Sequence, residues 1–418
     1  MRLRSKAFVL GLLMVAFATS AHAQGSPYNL LGFGEPLFTR LAHLEGIGGG
    51  GTGLSDGRVV NDLNPAAWSW LSRARLETSF RFERVSSELN AASAVGNDFR
   101  FSGLSFGSPI WNDHKASIAL GFAPLTNSSH EIRDTSASAS KSYVSEGGVS
   151  LAFIGGSIMP TPGIALGSKL DVLFGNVRRL GESSFEGEDA PASGQFQRDY
   201  AVSGLRGSFG LLLHGDSLVS ALDGVTLGVG YSTSSSLTVK RRTQSLSAIN
   251  DTTVEAEGAG FFPGSLAVGL TYAFDRRYRV LADVMTQDFS QAVLYSNDAT
   301  VGDPNLQAFM RTSVGFERVA NMSSEFGSEG GFSRWALRLG AFYASTPFAP
   351  TGTGGVTEMG GSVGLGIPMS AESLLNLSFT IGQRAPKTAN GGPSDLFMRA
   401  GVSIGLAERW FVPTRRED

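Results

Sequence analysis

The sequence contains no cysteine in its 418 residues, which excludes a disulfide framework, a thiolate metal site and a cysteine nucleophile. Charged residues make up only 17% of the chain and the formal net charge is −3, which excludes a charged coiled coil and an acidic disordered chain. The near-neutral balance also argues against nucleic acid as a partner, because phosphate binding needs a basic surface. Proline is scarce and the 54 glycines follow no three-residue period, so collagen is excluded.

The chain also lacks an apolar run long enough to cross a membrane as a helix. Residues 1–23 are typical of a signal peptide, with basic residues at the start, an apolar run at 8–18 and a small-residue cleavage pattern that ends at Ala23. The apolar run is too short to span a bilayer. We therefore expect an exported mature chain that begins at Gln24 and is either soluble or a transmembrane β-barrel.

Side-chain alternation distinguishes these two classes. Residues 265–274 place large apolar side chains on one face of a strand and small or polar ones on the other, and 335–343, 375–382 and 398–407 repeat the pattern. This is the lipid-out, lumen-in pattern of a membrane barrel. A soluble sandwich also alternates. Its strands, however, are usually about five or six residues long, whereas several here are much longer and carry aromatics near their ends, as interfacial girdles do.

The number of candidate strands is even, as a single-chain bacterial barrel requires. Long polar connectors at 87–97, 124–144, 177–197, 239–261, 291–306, 345–355 and 385–395 alternate with mostly shorter turns. We therefore predict an all-β fold, a transmembrane antiparallel β-barrel of about 14 strands over residues 74–418. The predicted location is the cell outer membrane of a Gram-negative bacterium, with both termini periplasmic. The predicted strands are 74–86, 98–107, 115–123, 145–154, 164–176, 198–213, 224–238, 262–274, 278–290, 307–319, 334–344, 356–368, 374–384 and 396–411.

Residues 24–73 do not follow the strand pattern. The tract 46–51 matches the dinucleotide fingerprint G-x-G-x-x-G, but only because it is rich in glycine, and it lacks a βαβ context. Glycines and the Asn64-Pro65 pair permit tight turns and close packing. Because a barrel of this size encloses a lumen that its own side chains cannot fill, we predict that this segment is a plug, or hatch, in the lumen.

Several charged residues lie within the predicted strands. Because a charge at the bilayer midplane costs a few kcal/mol, we expect these side chains to point into the lumen and to pair with one another or with the plug. They are Arg81, Glu83, Lys169, Asp171, Asp283, Arg311, Glu317 and Arg338.

Short motifs resemble the FadL family of outer-membrane transporters for long-chain fatty acids and other hydrophobic compounds. The N-terminal residues 26–34 and the Gly-rich tract followed by Asn64-Pro65-Ala66 resemble the hatch of that family. Residues 263–283 resemble its late hairpin. The tail at 397–411 resembles a FadL-like branch common in Bacteroidetes and related phyla.

The resemblance implies passive uptake of long-chain fatty acids or other small hydrophobic compounds. It implies a ligand pocket near Tyr28, Leu30, Leu31 and Phe33, a hatch turn at Asn64 and Pro65, and a lateral gap in the wall at Gly121 and Pro124. The loop at 124–144 departs from the family because it is rich in serine rather than apolar.

A second hypothesis from a different class is an interaction or scaffold protein associated with a secretion system. We expect no enzymatic activity, because no histidine lies in a strand interior where it could activate a serine, and we expect no cofactor or metal. The expected partners are outer-membrane lipid, a small hydrophobic ligand and the barrel-assembly machinery. Secretion components are expected under the second hypothesis, and nucleic acid under neither.

Overall fold

A computed structural model describes most of the mature chain. The predicted signal peptide at 1–23 and the aromatic end of the tail at 409–411 lie outside the described residues. The described ranges are 25–89, 92–111, 115–135, 139–185, 193–247, 251–275, 277–296, 303–321, 332–370, 372–388 and 392–408.

The structure consists almost entirely of β-strands. No described helix is long and apolar enough to cross a membrane. The helices are α1 (Ala42–Gly46) and α2 (Gly215–Leu218), with 3-10 turns at Pro27–Leu30, Pro65–Trp70, Ser220–Leu222, Phe289–Gln291 and Phe332–Arg334. The strands are β1 (Glu35–Pro36), β2 (Ala74–Leu89), β3 (Ala92–Trp111), β4 (Ala116–Pro124), β5 (Thr126–Asn127), β6 (His130–Thr135), β7 (Ala139–Thr161), β8 (Ile164–Phe185), β9 (Gly194–His214), β10 (Val225–Ser232), β11 (Ser235–Ser247), β12 (Asp251–Phe262), β13 (Ser265–Asp275), β14 (Tyr278–Asp288), β15 (Val293–Ser296), β16 (Ala308–Arg318), β17 (Ala336–Ser345), β18 (Val356–Pro368), β19 (Leu374–Pro386) and β20 (Ser394–Glu408).

These segments form a closed antiparallel barrel of 14 wall strands, as predicted. Four wall strands are interrupted and consist of two segments each: β4 with β6, β10 with β11, β12 with β13, and β14 with β15. Pairing of β2 with β20 closes the barrel. β1 and β5 form a separate two-stranded sheet. We call the end of the barrel where β2 begins the terminal end, and the end with the β2–β3 hairpin the loop end.

The outer face of the wall is apolar, as the alternation predicted. On β13 the outward residues Leu266, Val268, Leu270, Tyr272 and Phe274 are between 39 and 50% exposed, whereas the intervening residues of the ladder are mostly small. Large apolar side chains on an exposed barrel face are suited to lipid rather than to water. The fold is therefore a transmembrane β-barrel of the outer-membrane type.

Four of the connectors predicted as long polar loops are largely strand. In 87–97 the described residues belong to β2 and β3, which pair as far as Leu89 and Ala92, and 124–144 contains β5 and β6. In 177–197 and 239–261 the wall strands likewise continue far beyond the predicted ends. The prediction was wrong because it took the end of the apolar face for the end of the strand. Beyond the lipid the outward residues can be polar, and the backbone ladder still continues.

A charge on the lipid-facing surface should destabilise the barrel. Leu270 lies at the middle of the apolar face of β13, so Leu270→Arg should lower the free energy of unfolding by about 2–4 kcal/mol. The measurement is urea unfolding of protein reconstituted in liposomes, followed by the shift in gel migration on heating. The control is Asn176→Arg, which lies outward on β8 beyond Phe174 and beside the exposed Arg178. A similar loss in both variants would contradict the assignment of this face.

Candidate functional site

The N-terminal segment, residues 25–73, lies inside the barrel. At the loop end, Gly25 donates a backbone hydrogen bond to Ser129 (3.1 Å), and the Tyr28 hydroxyl donates to the Pro393 carbonyl (2.7 Å). At the other end, the Asn64 side chain donates to the Leu211 carbonyl on β9 (3.0 Å). The segment therefore crosses the lumen from the loop end to the terminal end before β2 begins. The first and last described residues lie at opposite ends of the barrel, not at the same end as predicted for the termini.

The residues predicted to form the ligand pocket mostly meet in one cluster at the loop end. Tyr28 stacks on Phe348 with ring centroids 5.8 Å apart, and Phe33 packs edge-on against Phe262 at 5.3 Å. Leu31 packs against the same cluster, whereas Leu30 is partly buried outside it. We call this group the internal apolar cluster; its wall members include Val149, Leu151, Phe153, Leu173, Val177, Val202, Val239 and Phe309.

The predicted hatch turn packs tightly against the wall near the terminal end. The Asn64 side chain caps the 3-10 turn Pro65–Trp70 by accepting a hydrogen bond from the backbone N–H of Ala66 (3.0 Å). A Cβ atom at Gly210 of β9 would lie 2.1 Å from Asn64 Oδ1, and one at Gly167 of β8 would lie 2.4 Å from the Ala66 nitrogen. Only glycine at these two wall positions permits so close an approach of the segment.

Buried charges join the N-terminal segment to the wall at mid-depth. Glu35 accepts hydrogen bonds from Arg384 (2.7 Å) and Arg399 (2.8 Å). Arg399 also donates to Glu83 (2.9 Å), and Arg384 donates to Glu358 (2.6 Å). We call these five residues the mid-lumen ionic network.

Neighbouring ion pairs extend this network. Arg100 pairs with Glu83, and Arg81 of the wall pairs with Glu45 of α1. Buried charges are tolerated where each one has a partner. The sequence correctly predicted that Arg81 and Glu83 point inward. It did not predict Glu35 and Glu45 as partners, because a two-residue strand and a one-turn helix leave no periodic signal.

A second group of charges lies nearer the terminal end. Arg279 donates to both Glu317 and Asp56 at 2.6 Å, and Arg338 donates to Glu317 at 2.8 Å. His43 of α1 is buried, with Nε2 3.4 Å from Glu317 Oε1. Burial and the nearby Arg338 lower the pKa of His43, although Glu317 opposes the shift. Burial opposes the charged form of Asp56, but its arginine neighbours hold the pKa of that carboxyl well below its usual value.

The remaining predicted lumen charges also have partners inside the barrel, and all of them except the partly buried Arg311 are buried. Lys169 Nζ lies 3.4 Å from Asp171, which also accepts a hydrogen bond from Arg206 (2.9 Å). Asp283 accepts from the backbone N–H of Thr52 (2.7 Å), and Arg311 donates to the Gly48 carbonyl (2.9 Å). Inward charges on at least five wall strands therefore bind the N-terminal segment or one another, as predicted.

The free space beside β1 is small, whereas a more open cavity of about 290 Å³ lies against Gly32, Tyr200 and Tyr295. Two cavities flank β1, one of about 50 Å³ beside the mid-lumen ionic network and one of about 60 Å³ beside Arg206 and Phe262. For comparison, an engineered cavity that binds benzene measures about 150 Å³. In this conformation neither cavity has room for a monoaromatic molecule or a fatty acid.

The third wall strand is interrupted after Pro124. Its ladder with β3 ends at the pair Leu104–Phe122, and within the described residues 92–103 of β3 pair with β2 alone. After Pro124 the chain parts from β3 and forms β5, which pairs with β1 of the N-terminal segment. On its other side it stays attached to β7, because the backbone N–H groups of Leu125 and Ser128 donate to Val149 (2.8 Å) and Gly147 (2.9 Å). The strand then continues as β6, which also pairs with β7. We call the space between residues 92–103 and the third wall strand the wall seam. Gly121 itself lies in an intact ladder between Ser105 and Phe153.

Among the described residues no histidine is hydrogen-bonded to a serine hydroxyl. The ring of His130, which lies on β6 rather than in a loop as predicted, donates through Nδ1 to the Gly25 carbonyl (2.6 Å). His214 Nδ1 lies 3.2 Å from the Thr226 hydroxyl, while its ring stacks on Trp70. In the part of the chain that the structure covers, no three His, Asp or Glu side chains come together in a way that could hold a metal ion.

Comparisons with known proteins agree with this architecture. A family model described as BamG matches residues 4–417. No curated protein sequence matches significantly. The Ralstonia pickettii toluene transporter TbuX is similar in structure, with a TM-score of 0.59 at 13% identity over 89% of this chain and 99% of that one. A Pseudomonas aeruginosa FadL homologue gives a TM-score of 0.61 at 12% identity, covering 89% and 98%. The Pseudomonas putida toluene transporter TodX gives 0.58 at 15% identity, with the same coverage as the FadL homologue.

Removing the charge of Glu35 should loosen the N-terminal segment. Glu35→Gln removes the carboxylate that pairs with the buried guanidinium groups of Arg384 and Arg399. Breaking a buried ion pair in this way costs up to about 3–5 kcal/mol. We expect higher single-channel conductance in planar bilayers, because the segment is then released more often from the lumen. The control is Glu131→Gln, which breaks an ion pair to the exposed Arg133 and should cost about 0–1 kcal/mol. Unchanged conductance in Glu35→Gln would show that this contact does not hold the segment.

The burial of His43 predicts a dependence of stability on pH. Because its pKa is lowered in the folded protein, the unfolded chain binds a proton first as pH falls below the ordinary histidine value. The stability contributed by neutral His43 is therefore complete at about pH 7.5 and decreases as pH falls through about 6.5. His43→Gln should reduce, without abolishing, the pH dependence of urea midpoints measured between about pH 5 and 7.5, because burial disfavours the charged forms of His130 and His214 as well. Protonation of Asp56 also lowers stability, but only at lower pH. If the urea midpoints of the parent protein and of His43→Gln depend equally on pH, the contribution assigned to His43 is wrong.

Proposed function

Because the chain belongs to the BamG family and has the fold of FadL-like transporters, we propose that it takes up small hydrophobic compounds passively across the outer membrane. The wall seam beside the internal apolar cluster is the observation that carries this proposal. Leu125, at the interruption of the third wall strand, packs against that cluster. A hydrophobic compound that reached the cluster could therefore leave sideways into the lipid.

The cargo is proposed as a hydrophobic compound, with long-chain fatty acids as one class. Two of the structurally similar proteins are toluene transporters, and this likeness supports a hydrophobic cargo. In the proposal Tyr28, Leu31 and Phe33 bind the ligand, and Gly121 and Pro124 flank the lateral gate. No energy-coupling motif is part of this mechanism, so the transport follows the concentration gradient.

In this proposal residues 24–73 act as the hatch. The contacts of Glu35, Glu45 and Asp56 with wall arginines support that role, because they hold the segment across the lumen. Residues 1–23 are proposed to be removed as a signal peptide. The loop end is proposed to face the exterior, which places the C-terminus in the periplasm.

A second candidate is an interaction protein of the barrel-assembly machinery or of a secretion system. The small cavities around β1 favour it, because a lumen filled by ion pairs is suited to a scaffold rather than to a channel. The name of the matching family points to the assembly machinery.

Enlarging the internal apolar cluster should increase hydrocarbon transport. Phe33→Ala removes a buried ring, costs about 3–5 kcal/mol of stability and leaves a cavity that an aromatic hydrocarbon can enter. We expect a several-fold higher rate of toluene entry into proteoliposomes, and more bound toluene by native mass spectrometry. Palmitate is the second substrate and tests the fatty-acid proposal.

The matched control is Phe397→Ala. Phe397 is also buried but packs with Val85 and Phe342 in a separate cluster, and its side chain does not line either cavity beside β1. Equal rates in the two variants, or no entry through the parent protein, would refute uptake. In the latter case, co-purification of barrel-assembly or secretion components in mild detergent distinguishes the two forms of the second candidate.

A further inference from the structure

The wall seam presents a strand edge that has no β-partner among the described residues and that extends into the lipid-facing region. Residues 92–103 of β3 span roughly 40 Å of strand. Phe99 is 50% exposed and lies on the outer face, in the part of the edge nearer the terminal end. Because water is absent from the hydrocarbon layer, unpaired backbone N–H and C=O groups are costly there. An unpaired edge is also a template for another strand.

The two faces of this edge differ in chemistry. Toward lipid, Phe101 stacks on Phe122 across the base of the seam, with ring centroids 5.9 Å apart. Toward the lumen, Asp98 accepts hydrogen bonds from Asn127 (3.1 Å) and Arg100 (2.8 Å). A strand placed beside β3 would therefore meet apolar groups on its outer face and polar or charged groups on its inner face.

We propose that the wall seam binds an extended polypeptide segment by β-strand addition. The occupant is a strand of another outer-membrane protein, with large apolar side chains alternating with small or polar ones. Its backbone hydrogen-bonds to β3, its apolar side chains lie beside Phe99 and Phe101, and its polar side chains face Asp98 and Arg100. The proposal of strand binding does not rest on the proposed uptake. Both involve the wall seam, but uptake requires only a hydrophobic route through it.

A small hydrophobic compound could also occupy the wall seam, but only a strand can hydrogen-bond to the backbone groups along the edge of β3. A hydrocarbon covers the aromatic side chains and leaves the backbone donors and acceptors of β3 unpaired. In an antiparallel ladder the residues that bond a given neighbour alternate along the strand. Strand addition therefore has a signature that a hydrocarbon cannot produce: protection of every second backbone amide in 92–103.

Hydrogen exchange of the unmodified protein tests this signature. The probe is a synthetic peptide that copies residues 265–274, and the control peptide has the same composition with its apolar residues grouped in one block. We expect the alternating peptide to slow exchange at least tenfold at alternate amides of 92–103, with no change along β9. Toluene and the block peptide should leave these amides unchanged. Equal protection by either of them, or none by the alternating peptide, would overturn the proposal.

Disulfide capture provides a second test, without background because the natural chain has no cysteine. Asn97→Cys places a thiol at the seam, and Ser203→Cys places one on the outer face of β9, between paired neighbours on both sides. A probe peptide with an activated terminal cysteine should react at least fivefold faster at the seam. Equal rates, or a disulfide-linked dimer of Asn97→Cys that excludes the peptide, would show that the seam is not a site for a foreign strand. Toluene entry is measured separately, so a failure here leaves the proposed uptake intact.

Discussion

Pairing of buried charges between the wall and the N-terminal segment is the interaction on which the rest of the structure depends. A wall of 14 strands encloses more space than its own side chains can fill. Its inward arginines, Arg279, Arg384 and Arg399, cannot face lipid and are costly to bury without a partner. Glu35 and Asp56 supply that partner from within the lumen. The charges therefore do two things at once: they make a wide polar interior tolerable, and they fix the position of the segment that fills it.

The wall seam follows from the same docking. β1 of the N-terminal segment pairs with β5, with Glu35 opposite Asn127. At that pair the third wall strand parts from β3 after Pro124 while it stays hydrogen-bonded to β7, and among the described residues β3 has no further strand on that side. The residue whose carboxylate binds two wall arginines is thus also paired with the segment at which the third wall strand parts from β3. Filling of the lumen and opening of the wall are two results of one arrangement, so a change in the segment is expected to alter both.

Much of the wall could be predicted from the sequence, because a membrane barrel is a repeated local pattern. Alternation of Leu266, Val268 and Leu270 with small residues fixed both the strand and its outward face, and all 14 predicted strands are present. Strand ends could not be predicted where polar residues continue the ladder, as in β11 and β12. Partners of the lumen charges could not be predicted either. The inward position of Glu83 in the sequence pattern implies that it needs a cationic partner. It does not show which one, because Arg399 lies 316 residues away and becomes a neighbour only when the barrel closes.

The predicted ligand residues show a further limit of prediction from the sequence. Tyr28, Leu31 and Phe33 do meet in one cluster, but they fill it with their own side chains. A sequence that encodes an apolar site and one that encodes an apolar core have the same composition, and only the free volume distinguishes them. Here that volume is small beside β1, while the unpaired edge of β3 is long. What enters at the seam must satisfy a backbone as well as cover a hydrophobic surface. A cargo that only dissolves in the cluster and a strand that pairs with β3 therefore make different demands on the same few residues.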